Sequence, residues 1–262
     1  MRTMDSARGT GTVCDQIGIQ DEMPKTLYAQ VIKTILDRSI AVVLLVLMAP
    51  VLLIGLFLVK LTSRGPAVYK QERLGLRGKP FTLYKIRSMR LDSESVSGPT
   101  WSLPGDPRIT FIGTFLRLSH VDELPQLINV IQGDLSLVGP RPERPSIAKD
   151  IESEIPCFRS RLFVKPGLTG LAQVQQASDD SLMSVRRKLE YDLAYIRSMG
   201  LGLDLRILIS TPLYILGVPV SMLAMVFQLP GRNVKGLDIA YSQNAFPSIS
   251  PQNIALASSS ET

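Results

Sequence analysis

Apolar positions crowd into two long stretches of this chain. The first, Ile40 to Val59 (IAVVLLVLMAPVLLIGLFLV), runs for 20 residues without a charge. Wound as an α-helix it reaches about 30 Å, the hydrocarbon thickness of a bilayer. Pro50 stands at its midpoint, where it cannot donate to the carbonyl of Val46 and is expected to kink or break the helix. Lys25, Lys33 and Arg38 precede the stretch and Lys60, Arg64, Lys70 and Arg73 follow it, whereas a spanning helix carries its Lys/Arg excess on one side. Two arrangements suit this pattern: a kinked span, or a helix–break–helix hairpin over residues 25–64 that enters one leaflet and returns to the same face. The second stretch, Ile207 to Leu229, is also uncharged but holds Pro212 and Pro219. Two prolines so close disfavour a straight span and predict short helices lying in the membrane interface across 207–230.

The pattern changes between the two. AVYKQERLG and FTLYKIRSM read as short strands joined by the turn LRGKP. RITFIGTFLRL suggests a helix or turn, and ELPQLINVIQG a helix closed by Gly133. In SLMSVRRKLEYDLAYIRSM the apolar residues Leu182, Val185, Leu189, Leu193 and Ile196 recur every three or four positions, an amphipathic helix ending at Gly200. The fold class is therefore α/β (mixed α+β): a domain of strands and helices over 65–206, a membrane-associated hairpin or kinked span before it and interfacial helices after it. Residues 1–24 and 231–262 are polar and aperiodic and read as disordered tails.

Charge narrows the partners. The chain has 262 residues and a formal charge of +6, yet Lys60 to Arg90 alone holds nine Lys or Arg against the single Glu72. Such a local excess seeks an anion: a membrane surface, a substrate phosphate or nucleic acid. The run lacks a recognition helix or an aromatic stacking platform, which argues against nucleic acid. Cys14 and Cys157 form no CxxC or zinc spacing, and one histidine makes transition-metal ligation a poor fit; reduced thiols are expected.

Chemistry-bearing residues gather in four places. KIRSM brings Lys85 and Arg87. FLRLSHVDELPQL brings Arg117, His120 and the adjacent acids Asp122 and Glu123. SLVGPRPERP sets Arg141 and Arg144 in a proline-rich loop, and VKPGLTGLAQV is a Gly/Pro loop. Each has a bland reading: solvated arginines, stiff turns, and acids that cap a helix starting near Ser119 or Asp122.

Taken in order, LTSRGPAVYKQERLGLRGKPFTLYKIRSM, DPRIT, LRLSHVDELPQLINVIQGDLSLVGPRPE, VKPGLTGLAQV and YDLAYI…LGLDLRIL resemble the successive motifs of the bacterial sugar transferases, the monotopic phosphoglycosyl transferases. The resemblance covers about residues 30 to 210, and the chain looks like a minimal form of the family. It implies transfer of a sugar 1-phosphate from a UDP-sugar to polyprenyl (undecaprenyl) phosphate, releasing UMP, as the initiating step of exopolysaccharide synthesis. It implies a catalytic dyad at Asp122 and Glu123, with Asp122 the nucleophile that forms a covalent phosphosugar intermediate and Glu123 a ligand of Mg²⁺. Arg117, Arg141, Lys85 and Arg87 become phosphate-binding candidates. The hairpin broken at a Ser-Pro pair falls on Ala49-Pro50, and relatives continue LAQV with Asn-Gly-Arg-Asn where this chain has QQAS, Gln175 to Ser178. At His120 the resemblance implies an aliphatic residue. No general base is needed there, because a lipid phosphate is already ionised near neutral pH. The implied location is the cytoplasmic face of the inner membrane, the oligomeric state and donor sugar being open. The competing reading is a non-catalytic membrane anchor that binds anionic lipid; it accounts for the apolar run and the charge but not for the paired acids or GPRP.

Overall fold

The long uncharged stretch forms one helix. A computed structural model describes residues 26–91, 106–155, 157–176 and 182–231. In it a π-helical turn, Tyr28–Ile32, leads into α1, Lys33–Thr62, with Pro50 inside. The expected break at Pro50 is not a break in helical structure. Proline removes one donor and crowds one carbonyl, which distorts a turn, while the apolar residues on either side keep the remaining bonds. By length and composition α1 is the one helix among the described residues able to cross a membrane, with a mean hydropathy of 3.1 over an 18-residue stretch within it. Its middle is bare: Val46, Leu47, Leu53, Ile54 and Phe57 are all about two-thirds exposed, at 59 to 69%.

Both ends of α1 are nonetheless fastened to the rest of the chain. Near its start, Ala41 is fully buried in the main core with Leu127 and Val130. Lys33 pairs with Asp204 at 2.5 Å, and Tyr195 donates to the other oxygen of Asp204 at 2.8 Å. The hydroxyl of Ser136 donates to Asp37 at 2.6 Å. Near its end, Val59 packs with Ile86 and Leu116. Gly55 lets the helix close on Ile86, whose Cδ1 lies 3.0 Å from where a Cβ would stand.

The two expected strands form as β1, Val68–Leu74, and β2, Pro80–Ile86, antiparallel with Val68 opposite Ile86 and Leu74 opposite Pro80. Their turn uses left-handed backbone at Arg77 and Gly78. Then come α2, Phe111–Leu118, capped by the Thr110 hydroxyl, and α3, Gln126–Gln132, closed by left-handed Gly133 as expected. Asn129 is fully buried and ties α3 to β2, accepting from the Tyr84 amide at 3.1 Å and donating to the Thr82 carbonyl at 2.7 Å.

A second small sheet pairs β3, Ser136–Val138, in parallel with β4, Gly167–Thr169; α4, Pro145–Glu154, lies between them in sequence. A Cβ on Gly167 would collide with the Gly139 backbone, so the PG of the fourth motif serves a close approach of two chains. The short α5, Leu171–Gln175, and the amphipathic α6, Leu182–Ser198, follow, the latter burying Val185, Leu189 and Leu193 as its spacing predicts.

α7, Leu201–Ile215, runs through the boundary drawn between 206 and 207 and keeps Pro212 inside; α8, Val220–Val226, starts after Pro219. Ile209, Leu216, Met222 and Met225 are exposed, so two short helices with bare apolar side chains stand where interfacial ones are expected. Residues 1–24 and 232–262, and the part of the substituted QQAS segment after Gln176, lie outside the described residues. Cys14, on which the expectation of reduced thiols also falls, lies outside the described residues.

Candidate active site

The paired acids do not cap a helix. Ser119 closes α2, and His120 then turns the chain through left-handed backbone at φ 53°. Val121–Glu123 make a single 3₁₀ turn, and Pro125 occupies the cap position of α3 with no side-chain bond. The capping expectation fails because the reversal at His120 and the ring of Pro125 confine the acids to a one-turn link, and their side chains are drawn elsewhere. Val121 packs inward against α1. That leaves Asp122 buried, at 6% exposure, with Glu123 beside it.

Glu123 is held by two cations. Lys85 from β2 donates to its Oε1 at 3.0 Å. Arg141, from the GPRP loop after β3, donates from Nη2 to Oε1 at 2.6 Å and from Nη1 to Oε2 at 3.3 Å, a bidentate grip. Burial opposes ionisation of Glu123, but Arg141 and Lys85 overrule it and hold its carboxyl well below the usual range. Asp122 differs. Burial pushes its carboxyl up, Lys85 pulls it down, Glu123 pushes it up again, and Arg117 and His120 pull it down, leaving it raised. Among the described residues it makes no ion pair of its own.

The structure thus brings Asp122, Glu123, Lys85 and Arg141 together. Arg117 lies within electrostatic reach of Asp122, with its Nε donating to the Ser88 hydroxyl at 2.8 Å. Arg87 is placed differently: its Nη2 donates to the Ser63 carbonyl at 3.1 Å and hydroxyl at 2.7 Å, tying the end of α1 to the end of β2. It is buried, and its Nε and Nη1 find no partner among the described residues.

Residues outside the sequence-level candidates complete the site. Arg73 and Gln126 join Lys85, Arg141, Leu83 and Pro142 in lining a small cleft. Gln126 is almost wholly buried, and its Nε2 has no hydrogen-bond partner among the described residues. Glu143 takes Lys188 at 2.7 Å, Arg73 at 3.7 Å and Arg161 at 3.8 Å, and its carboxyl falls to about 2 because these cations outweigh its burial. The only hint in the sequence was Glu143 itself, inside PRPERP; its partners come from other elements.

No three His, Cys, Asp or Glu converge on a common metal position among the described residues. Mg²⁺ needs no such cage, since one or two carboxylates plus substrate phosphates suffice; the carboxylates that would serve here are Asp122 and Glu123, the latter with both oxygens held by Arg141 and Lys85.

The chain matches the family model described as bacterial sugar transferase over residues 28–217. It is 39% identical over 192 residues to the UDP-glucose:undecaprenyl-phosphate glucose-1-phosphate transferase of Xanthomonas campestris pv. campestris, covering 72% of this chain and 40% of that protein. It is 39% identical over 189 residues to the UDP-N-acetylgalactosamine-undecaprenyl-phosphate N-acetylgalactosaminephosphotransferase of Aeromonas hydrophila, covering 72% of this chain and 44% of that protein. With the exopolysaccharide production protein PSS of Rhizobium leguminosarum bv. phaseoli it shares 39% identity over 186 residues, 69% of this chain and 93% of that one. The chain spans less than half the length of the Xanthomonas and Aeromonas proteins. It belongs to the bacterial sugar transferase family.

Proposed function

We propose that this chain moves a sugar 1-phosphate from a UDP-sugar to undecaprenyl phosphate at the cytoplasmic face of the inner membrane, with Asp122 as nucleophile. The observation that carries this reading is the unequal treatment of the two acids. Glu123 is locked to Lys85 and Arg141, while Asp122 sits beside it with no salt bridge among the described residues to break before it attacks. A carboxylate oxygen of Asp122 forms a bond to the β-phosphorus, and the bond from that phosphorus to the oxygen bridging to the α-phosphate breaks. UMP departs with the electron pair, leaving an aspartyl phosphosugar. An oxygen of undecaprenyl phosphate then attacks the same phosphorus, releasing the Asp122 carboxylate and forming the lipid diphosphosugar.

Each step sets anion against anion, so the cations of the cleft do the electrostatic work. Arg141, Lys85 and Arg73 surround the position of the donor phosphates, and Arg117 lies toward Asp122. Glu123 and Asp122 would hold Mg²⁺, which supplies charge neutralisation of the pyrophosphate when bound.

The membrane reading rests on α1. A 30-residue helix is about 45 Å long, yet Lys33 near one end and Val59 near the other both pack on the same domain. A straight perpendicular span would carry one of them to the far side of the bilayer. The bare middle of α1 instead enters the near leaflet, and its basic ends stay on one face, a re-entrant arrangement. The exposed side chains of α7 and α8 and the Phe111–Phe115 pair of α2, with ring centroids 5.1 Å apart, extend that apolar surface.

Purified full-length chain given a UDP-sugar without lipid should release up to one equivalent of UMP and gain the mass of a sugar phosphate on Asp122. If UMP appears only once undecaprenyl phosphate is added and no adduct forms, the lipid attacks directly and Asp122 is not the nucleophile. If no UDP-sugar yields UMP at all, the chain is a membrane anchor.

A further inference from the structure

Three consecutive residues of the GPRPERP loop are gripped from outside it. The Arg141 carbonyl accepts from Nη2 of Arg161 at 2.9 Å. The Pro142 carbonyl accepts from Nη1 of Arg73 at 3.0 Å. The Glu143 carbonyl accepts from the Leu74 amide at 2.9 Å. The first contact is set apart by how heavily its donor is itself constrained. Arg161 lies in the 3₁₀ segment Phe158–Phe163 and is 98% buried, with 2% exposure. The same Nη2 is ion-paired with Asp192 of α6 at 2.7 Å, and the guanidinium lies 4.9 Å from the centre of the Phe158 ring.

Arg141 stands between Pro140 and Pro142. Their rings fix φ on both sides and exclude helical backbone at Arg141. The freedom left to Arg141 is the orientation of the peptide plane that follows it, which its carbonyl reports. A hydrogen bond to that carbonyl from an immobile donor removes the freedom.

We infer that Arg161, anchored by Asp192, is a positioning residue of the active site: it sets the backbone at Arg141 and thereby the aim of the guanidinium that grips Glu123 and faces the donor phosphates. This rests on the reading of Arg141 and the Asp122–Glu123 pair as the reacting site. A guanidinium suits the task because its planar fork faces Glu143 with Nη1 while Nη2 serves Asp192 and the Arg141 carbonyl, and a single ammonium nitrogen cannot occupy both positions. Displacing a reacting or clamping group by about 1 Å costs on the order of a hundredfold in rate.

Arg161→Ala would strip Asp192 and Glu143 of a buried partner and risk unfolding, so the test uses Arg161→Lys and Asp192→Asn. Both are made in the wild-type and Arg141→Ala backgrounds of the full-length chain in detergent. UMP release is followed with undecaprenyl phosphate and whichever of UDP-glucose and UDP-N-acetylgalactosamine the wild type consumes. The expected result for Arg161→Lys is a melting temperature within a few degrees of wild type and a kcat lower by roughly tenfold to a hundredfold. In the Arg141→Ala background the same change should cost less than about twofold, the non-additivity of two residues acting through one contact. Asp192→Asn should follow the same pattern.

An undiminished kcat in Arg161→Lys, or a full multiplicative loss in the Arg141→Ala background, overturns the inference. So does failure of both variants to fold, which would make the cluster a purely structural one. A wild-type rate in Arg141→Ala alone shows that the reading of the site has failed, and the inference falls with it.

Discussion

Arg141 grips both oxygens of Glu123, at 2.6 and 3.3 Å, while the adjacent Asp122 is buried without an ion pair among the described residues. The two acids therefore respond to neutralisation in opposite ways. Asp122→Asn removes a charge that burial disfavours, so the variant should melt at or above the wild-type temperature while losing activity by several orders of magnitude. Glu123→Gln leaves Lys85 and Arg141 without their counter-charge; breaking such a pair costs about 3–5 kcal/mol when it is buried, and less here because the Arg141 side chain is 34% exposed. It should melt lower and lose activity as well. Thermal melts in detergent beside UMP release separate the two, and equal destabilisation would remove the distinction between locked and unlocked acids.

The raised carboxyl of Asp122 has a kinetic signature. It must be ionised to attack, so the acid limb of kcat/KM should fall above the ordinary aspartate value of 3.8. Lys85 is the strongest of the groups pulling that carboxyl down. Lys85→Met should therefore lower the rate and also move the limb to higher pH. A limb that stays in place in Lys85→Met would mean that some other group titrates.

Glu143 ties pH to stability. Its folded carboxyl lies at about 2, against an ordinary 4.5, so its pairing stabilises the fold fully above about 4.5 and is lost as pH falls toward about 2. Roughly two and a half units correspond to about 3 kcal/mol. Glu143→Gln should lower the melting temperature at pH 7 and flatten its dependence between pH 5 and 3. A variant with the wild-type slope would place the acid sensitivity elsewhere.

Much of the scaffold was legible because its signals are local. The turn LRGKP between two short runs marked β1 and β2, three-and-four spacing marked α6, and Gly133 marked the end of α3. At Pro50 helical structure continues where a break was one expectation, because a proline's cost is local too and both ends of α1 are fastened by contacts, with Asp204 and Ile86. The acids misled because Ser-x-x-Asp is a cap pattern only if the chain enters a helix directly, and the left-handed turn at His120 intervenes. The cluster around Glu143 was beyond reach for a different reason: Lys188 lies 45 residues away in sequence, and nothing local distinguishes it from a solvated lysine.

That left-handed turn changes what is expected at His120. An aliphatic replacement restores the residue that the family resemblance implies, yet it must adopt φ 53°, which costs an ordinary side chain on the order of 1–2 kcal/mol. Asn and Gly accept such backbone more readily. His120→Asn should keep both stability and turnover within a few-fold of wild type, whereas His120→Leu should keep turnover per folded molecule but melt lower. A loss near a hundredfold in His120→Asn would reveal a general base.

The topology of α1 gives the sharpest structural test. Thr26 lies just before the helical segment and Ser63 just after it. Because both ends of α1 pack on one domain, cysteines placed singly at these two positions, with Cys14 and Cys157 replaced by Ser, should be labelled from the same side of inverted membrane vesicles by an impermeant maleimide. Ser63 is the more protected of the two, since its hydroxyl accepts from Arg87, so its rate should be slower but its sidedness identical. Opposite sidedness would require the chain to cross the bilayer and would break either the Lys33–Asp204 pair or the Val59–Ile86 packing. Replacing Pro50 by Leu restores the missing amide donor and strengthens a continuous apolar helix of spanning length. If the proline is what keeps α1 in one leaflet, that variant should shift a fraction of molecules to opposite labelling and lose UMP release in the same proportion. Wild-type labelling and activity in Pro50→Leu would show instead that the packing of the two ends alone holds α1 against the domain.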